Sequence, residues 1–323
     1  MEFFKKETRI DFMGIRRYTG IATVILWIVS LGLLATKGLN FGLDFTGGTQ
    51  IEARFATEVS PAAIRAQLEH EGFHGVRVQQ YGSTQDILIR IGSADADKVQ
   101  TDVGETSESL NEADQERKMG SRVREALLKH NKDVEIRGTS FVGSEVGAEL
   151  VEKGGIAVLV SILATMIYIA LRFEYRLAAS AAVGLIHDAV LILGVFALFG
   201  FEFDVVALGS VLAVLGYSLN DTIVVFDRVR ENFRKIRKST PVEVMNLSIN
   251  QTLSRTLMTS FMTLLVVLAL LFFGGEALFG FSMAFFVGII IGTFSSIYVS
   301  GALALWMGLS RADLMPKPKP EVE

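Results

Sequence analysis

Six long apolar runs separated by charged connections limit what this chain can become. The first covers Tyr18 to Ala35, and the others lie at about 154–171, 177–200, 205–226, 257–273 and 280–307. The hydrocarbon core of a bilayer takes about 20 apolar residues of helix, so each run reads as a transmembrane span. The first is too long for a signal-peptide core and has no small-residue cleavage site after it, so it is expected to be retained. The sequence is 50% hydrophobic yet 20% charged, which requires the charge to be segregated into loops and one water-exposed domain.

Loop charge gives the orientation. Arg172 and Arg176 follow the second run, Arg228, Arg230, Arg234, Lys235, Arg237 and Lys238 follow the fourth, and Arg311, Lys317 and Lys319 follow the sixth. The alternate connections, GFEFD and GGEALFG, contain neither Lys nor Arg. This bias predicts cytoplasmic termini. The expected plan is a tail at 1–17, a first span at 18–36, an outer domain at 37–149 and a five-span bundle at 150–310. A basic cytoplasmic loop at 227–254 and a tail at 311–323 complete it.

Within the outer region, TQIEARF (49–55), VRVQQY (76–81), DILIRI (86–91) and VEIRGTSFV (134–142) alternate as strands do. Helices are expected from Pro61 to Glu71, with Ser60 as N-cap, and over 117–130. The order β-α-β-β-α-β is that of a ferredoxin-like unit. The acidic stretch 92–120 has no periodicity and reads as a mobile loop. The fold class is therefore a six-span helical membrane protein with one α+β domain inserted after the first span.

Chemistry narrows to residues that are out of place. Asn220 and Asp221 sit inside the fourth run, Asp221 six residues before Asp227 and so roughly 9 Å inside the boundary. A carboxylate there costs about 2.5–3.5 kcal/mol, so it must face the bundle, pair with a cation or carry a proton. Arg255 opens the fifth run beside a hydroxyl stripe of Thr252, Thr256, Thr259 and Thr263, and is the nearest basic candidate to neutralise Asp221. The alternative is an arginine reaching for lipid phosphates. His187 and Asp188, roughly 15 Å into the third run, read either as a proton-relay pair or as a buried contact between helices. Ala284, Gly288, Gly292, Ser296, Ser300 and Ala304 recur every fourth residue, as close helix packing requires.

Other chemistries find no support. The glycine-rich GLDFTGGT (42–49) lacks Gly-Lys-Ser/Thr and a following helix, so it reads as a tight turn rather than a nucleotide loop. A metal-dependent His-Asp phosphohydrolase would need ligands beyond four scattered histidines, and the absence of cysteine excludes thiolate and disulfide chemistry. No metal, no cofactor and no enzymatic activity are expected, with protons as the coupling ion.

GLDFTGGT (42–49), RFEYRLAA (172–179), GYSLNDTIVVFDRVRENFRKIR (216–237), SRTLMTS (254–260) and IGTFSSIYVSGALAL (291–305) closely resemble the SecF family of the resistance-nodulation-division superfamily. The resemblance implies a subunit of the SecDF accessory complex of the bacterial Sec translocase, in the inner membrane. It would use the proton-motive force for late steps of preprotein export. It implies a SecD-like six-span partner, SecYEG, SecA and YajC as the wider translocase, and unfolded preprotein as substrate. The family's functional Asp and Arg fall on Asp221 and Arg255, and less securely on Asp188. A self-sufficient small-molecule exporter of the same superfamily is the competing reading, although such exporters contain two six-span halves. A third is a scaffold whose buried charges only pin helices.

The chain has no native thiol, so the orientation is directly testable. Ser107→Cys is expected to react with an impermeant maleimide in intact spheroplasts. Labelling only after lysis would reverse the topology.

Overall fold

The computed structural model describes residues 8–73, 75–81, 83–92, 112–131 and 133–314. The chain divides into two compact units, one of residues 1–40 with 157–323 and one of residues 41–156. Among the described residues six helices are long and apolar enough to cross a membrane, and the protein is a multi-pass membrane protein.

The smaller unit is the ferredoxin-like domain. Its elements are β1 (Gly48–Phe55), α2 (Pro61–His70), β2 (Arg77–Tyr81), β3 (Ser83–Gly92), α3 (Glu112–Leu128) and β4 (Val134–Val142), following α1 (Arg16–Thr36) of the other unit. The sheet order is β2-β3-β1-β4, every neighbour antiparallel. Ile51 lies opposite Ile89 on one side and Thr139 on the other. Strand alternation turns Ile51, Ala53 and Phe55 and Ile87, Ile89 and Ile91 into one core with Ile64 and Leu68 of α2 and Val123 and Leu127 of α3. Ser60 occupies the N-cap position of α2 in extended conformation, but its side chain makes no capping bond. Helix α3 starts at Glu112, inside the stretch expected to be loop, and its buried stripe is Met119, Val123 and Leu127, spaced four apart. Residues 93–111 of that expected loop lie outside the described residues.

The glycine-rich segment forms a turn. A single helical turn, Leu43–Thr46, ends at Gly47 and Gly48, whose φ values of 67° and 129° need glycine. A Cβ on Gly147 would lie 3.1 Å from both Gly47 N and Phe45 O, so the first turn of α4 (Ser144–Arg172) seats directly on this turn.

The bundle is built from α1, the membrane part of α4, α5 (Tyr175–Phe199), α6 (Val205–Lys235), α7 (Pro241–Phe273), α8 (Phe279–Phe294) and α9 (Ser300–Trp306). A π-helical turn, Ser295–Val299, joins α8 to α9 within the sixth span. In α5 and α6 half of the most apolar window is buried, against 6% in α1 and in α4. The centre is therefore α5, α6 and the sixth span, and α1 and α4 present apolar outer faces.

The basic "loop" at 227–254 is a correction to the sequence reading. Helix α6 continues to Lys235 and α7 begins at Pro241, leaving only a short connection. Hydropathy marks where lipid ends but not where a helix ends. Here Glu231–Lys235 pairing at i,i+4 and a Thr240–Glu243 capping box extend both helices into water. Asn232 of α6 donates to Ser248 Oγ and Gln251 Oε1 of α7, at 2.9 and 2.8 Å, and clasps these extensions together.

Both terminal segments dock on this base. Asn250 accepts from Ile10 N at 2.9 Å and donates to Ile10 O at 2.8 Å. One turn earlier, Asn246 accepts from Met13 N and donates to Asp11 Oδ1, at 2.9 and 2.7 Å. Phe12 and Met13 are buried, with the Phe12 ring edge-on to Tyr298 of the π turn. At the other end α10 (Arg311–Leu314) is held by Arg176, which binds Asp313. The Ser310 hydroxyl and amide, with that guanidinium, hold the Asp313 carboxyl below the usual range.

Replacing Asn246 or Asn250 by Ala removes two side-chain bonds to the N-terminal segment. Each is expected to lower stability by about 1–2 kcal/mol, read as a reduced melting temperature of the purified protein in detergent. Unchanged melting in both would mean the segment is not held there in solution.

Candidate functional site

The polar centre of the bundle lies where α5, α6 and the π turn meet. Asp188 of α5 is 0% exposed. Its Oδ2 accepts from Ser218 Oγ of α6 at 2.5 Å and from Ser295 Oγ of the π turn at 2.8 Å. Its Oδ1 lies 2.9 Å from Nδ1 of the neighbouring His187. One carboxylate thus holds three elements together. Sequence reasoning named Asp188 and His187 but missed Ser218 and Ser295. The available signal was the presence of further polar residues in apolar spans, which in a bundle tend to find one another.

The small-residue stripe makes this meeting possible. A Cβ on Gly292 would stand 2.9 Å from both Cβ and Oγ of Ser218, and one on Gly288 would stand 2.3 Å from Val214. Farther along, Ser300 Oγ would meet a Cβ on Gly184 of α5 at 2.5 Å. The stripe therefore changes partner, from α6 at Gly288 and Gly292 to α5 at Ser300. Fourfold spacing advances a helical face by about 40° per step, and the wider π turn contains Ser296 at the changeover. Ala284, Ser296, Ser300 and Ala304 are all buried.

Asp221 is also buried, 3% exposed, one turn beyond Ser218 on α6. Thr259 and Ser260 of α7 lie close enough to interact with its carboxylate, and the Arg255 charge acts on it. Arg255 is exposed and stands 15 residues into α7 rather than at its start. Among the ion pairs of the described residues, none within 4.0 Å joins the two. The hydroxyl stripe is divided in behaviour. Thr252, Thr259 and Thr263 bond to backbone carbonyls of their own helix, while Thr256 Oγ1 is buried without a protein partner.

Asn220 faces outward. It ends an exposed stripe on α6 with Gly209, Ala213 and Gly216, and a Cβ on either glycine would meet nothing within 4 Å. This small-residue face, unlike that of the sixth span, is uncovered in the single chain. Toward the C-terminal end of α6, Arg172 pairs with Asp227 at 2.7 Å and Arg230 with Glu174 at 3.3 Å, both guanidinium groups lying near the Phe173 ring. The RFEYR tract is thereby locked to α6. Among the described residues no group of three or more His, Cys, Asp or Glu could hold a metal.

A six-span bundle with carboxylates sealed in its core and a ferredoxin-like domain after the first span defines a membrane transport subunit. Residues 122–310 match the family "Protein export membrane protein SecD/SecF, C-terminal", and residues 32–59 match the "SecD/SecF GG Motif". The chain is 42% identical over 309 residues to the protein translocase subunit SecF of Pseudomonas aeruginosa, covering 95% of this chain and 94% of that one. It is 44% identical to that of Vibrio alginolyticus over 324 residues, covering 100% and 96%. The crystal structure of SecDF from Thermus thermophilus, a translocon-associated membrane protein, superposes with a TM-score of 0.79 at 35% identity, over 95% of this chain and 40% of that longer chain. This chain belongs to the SecD/SecF family of protein-export membrane proteins, in its SecF branch. Its role is that of a translocase subunit in Sec protein export.

Gly292→Leu is expected to force α6 and α8 apart, move Ser218 away from Asp188 and cost about 1–3 kcal/mol or more. Gly292→Ala should do the same more mildly. Lower yield and melting temperature, graded Leu over Ala, check this. Wild-type values for Leu would mean the stripe does not pack closely.

Proposed function

We propose that this subunit couples the proton-motive force to late steps of preprotein export, with Asp221 as the group that changes protonation and Arg255 as its cationic counterpart. The observation that carries this reading is a carboxylate buried inside the fourth span on α6, faced by hydroxyls of α7 and within the field of a guanidinium on α7. Protonation of Asp221 would remove its attraction to Arg255 and loosen α6 against α7. A potential of 100 mV supplies about 2.3 kcal/mol per charge, enough to bias a two-state bundle modestly with each proton. The Asp188 network, one turn away through Ser218, is the element such a change would reach first.

The subunit works beside a SecD-like six-span partner. An exposed Asn220 and an exposed Arg255 in apolar spans are costly against lipid. The Gly209, Ala213 and Gly216 stripe next to Asn220 is shaped for a closely packed helix. SecYEG, SecA and YajC form the wider assembly, unfolded preprotein is the substrate, and the membrane is the bacterial inner membrane with both termini cytoplasmic. The abundance of Lys and Arg in alternate loops supports that orientation.

Asp221→Asn keeps size and hydrogen bonding but cannot ionise. It is expected to abolish proton-motive-force-dependent export in membrane vesicles while membrane insertion and complex assembly stay normal. Asp221→Glu should retain part of the activity, and Arg255→Lys should lose part of it because the planar fork is gone. Near-normal coupled export in Asp221→Asn would leave only a scaffolding role for the carboxylate.

A further inference from the structure

Helices α1 and α5 run side by side in the same direction. Ser30 fills the space beside Gly194, where an added Cβ would lie 2.4 Å from the serine Cβ. Farther along, Lys37 Nζ donates to Leu198 O at 2.6 Å and Asn40 Nδ2 to Gly200 O at 3.0 Å. Seven residues before Ser30 and Gly194 stand Thr23 and His187. Seven residues return a straight helix to nearly the same face, about 20° short of it, so these two side chains lie on the faces that α1 and α5 turn to each other. Both carry a buried polar atom without a protein partner, Thr23 Oγ1 and His187 Nε2. His187 is 4% exposed, and its other ring nitrogen is the one beside Asp188.

We propose that His187 Nε2 and Thr23 Oγ1 hold a bridging water between α1 and α5, and that this link makes His187 a relay connecting the Asp188 carboxylate to the α1 face of the bundle. Two polar partners in an otherwise apolar seam are what an internal water requires. The relay half of the inference rests on the proton-coupled reading above. A proton arriving on the water as hydronium adds to Nε2 while Nδ1 passes its own proton to Asp188 Oδ1. The water and the imidazole end neutral, the ring as its other tautomer, and the carboxyl is protonated. A neutral Asp188 can no longer accept from Ser218 and Ser295 as a carboxylate, so the bond set that joins α5, α6 and the π turn weakens at that moment. The groups facing His187 are few. Residues 18–36 of α1 and 279–306 of the sixth span carry no charged residue. Titratable neighbours reduce to Asp188 on its own helix, Asp221 and Tyr217 on α6, and Tyr298 on the π turn.

The chain has four histidines, and His70, His74 and His130 all belong to the smaller unit. Ring-15N histidine labelling of the protein in its membrane complex, reconstituted in liposomes, therefore isolates His187 after subtraction of a His187→Gln sample. Solid-state NMR is expected to give a water cross-peak at His187 Nε2, lost in Thr23→Val and Thr23→Ala and retained in Thr23→Ser. Proton-motive-force-dependent export should fall in Val and Ala and be retained in Ser. No water cross-peak in the wild type, or one unchanged in both Val and Ala, overturns the link. A normal cross-peak that vanishes in Val without any change in export keeps the water and overturns the relay. Failure of the Asp221 reading is separate, because coupled export in Asp221→Asn leaves the ring–water signal untouched.

Discussion

A carboxylate with almost no water around it sets the terms for the bundle. Asp188 is fully buried between three elements, and a buried charged or polar group is tolerated only when its bonding capacity is met. Serine is the donor that meets it, and a serine side chain is short. Ser218 and Ser295 converge on the carboxylate where the sixth span approaches α6 at Gly288 and Gly292 and α5 at Gly184 and Ser300. Polar satisfaction and small-residue packing are thus one constraint. The close approach adds packing contacts in lipid, and the short serine side chains could not bond the carboxylate without it.

The same reasoning explains what the sequence revealed and what it hid. All six spans were legible because hydrocarbon thickness imposes a length on any apolar run. The four strands of the smaller unit were legible because a sheet with one face on a core must alternate. Helix ends outside the membrane were not. Residues 227–254 look like loop in the sequence, yet most of them are helix, because they answer to water and to each other rather than to lipid. The acidic residues after Glu112 misled for a related reason, since a helix that buries only one stripe can look polar throughout.

Within the candidate site, the residue types were legible and their directions were not. Asp221, Asp188, Asn220 and Arg255 stand out in any apolar run. Hydropathy cannot tell that Asp188 and Asp221 turn inward while Asn220 and Arg255 turn outward. That division matters for an incomplete bundle. The inward pair is served by the chain's own helices. Asn220 and the bare Gly209–Gly216 face give α6 a second, outward side, and Arg255 gives one to α7.

The asparagine clasp at the base has a consequence for the order of events on the ribosome. Ile10 is bonded by Asn250, 240 residues later in the chain. At a synthesis rate of about 5–20 residues per second, those 240 residues take roughly 12–48 s to appear. For that interval the first span is in place with its leading segment unclasped and Phe12 and Met13 without the cavity that later buries them. The basic residues Lys5, Lys6, Arg9, Arg16 and Arg17 are what is at hand to keep that end of α1 from slipping into the bilayer. The clasp is a latch fitted after the door is hung, and it closes only when α7 has emerged.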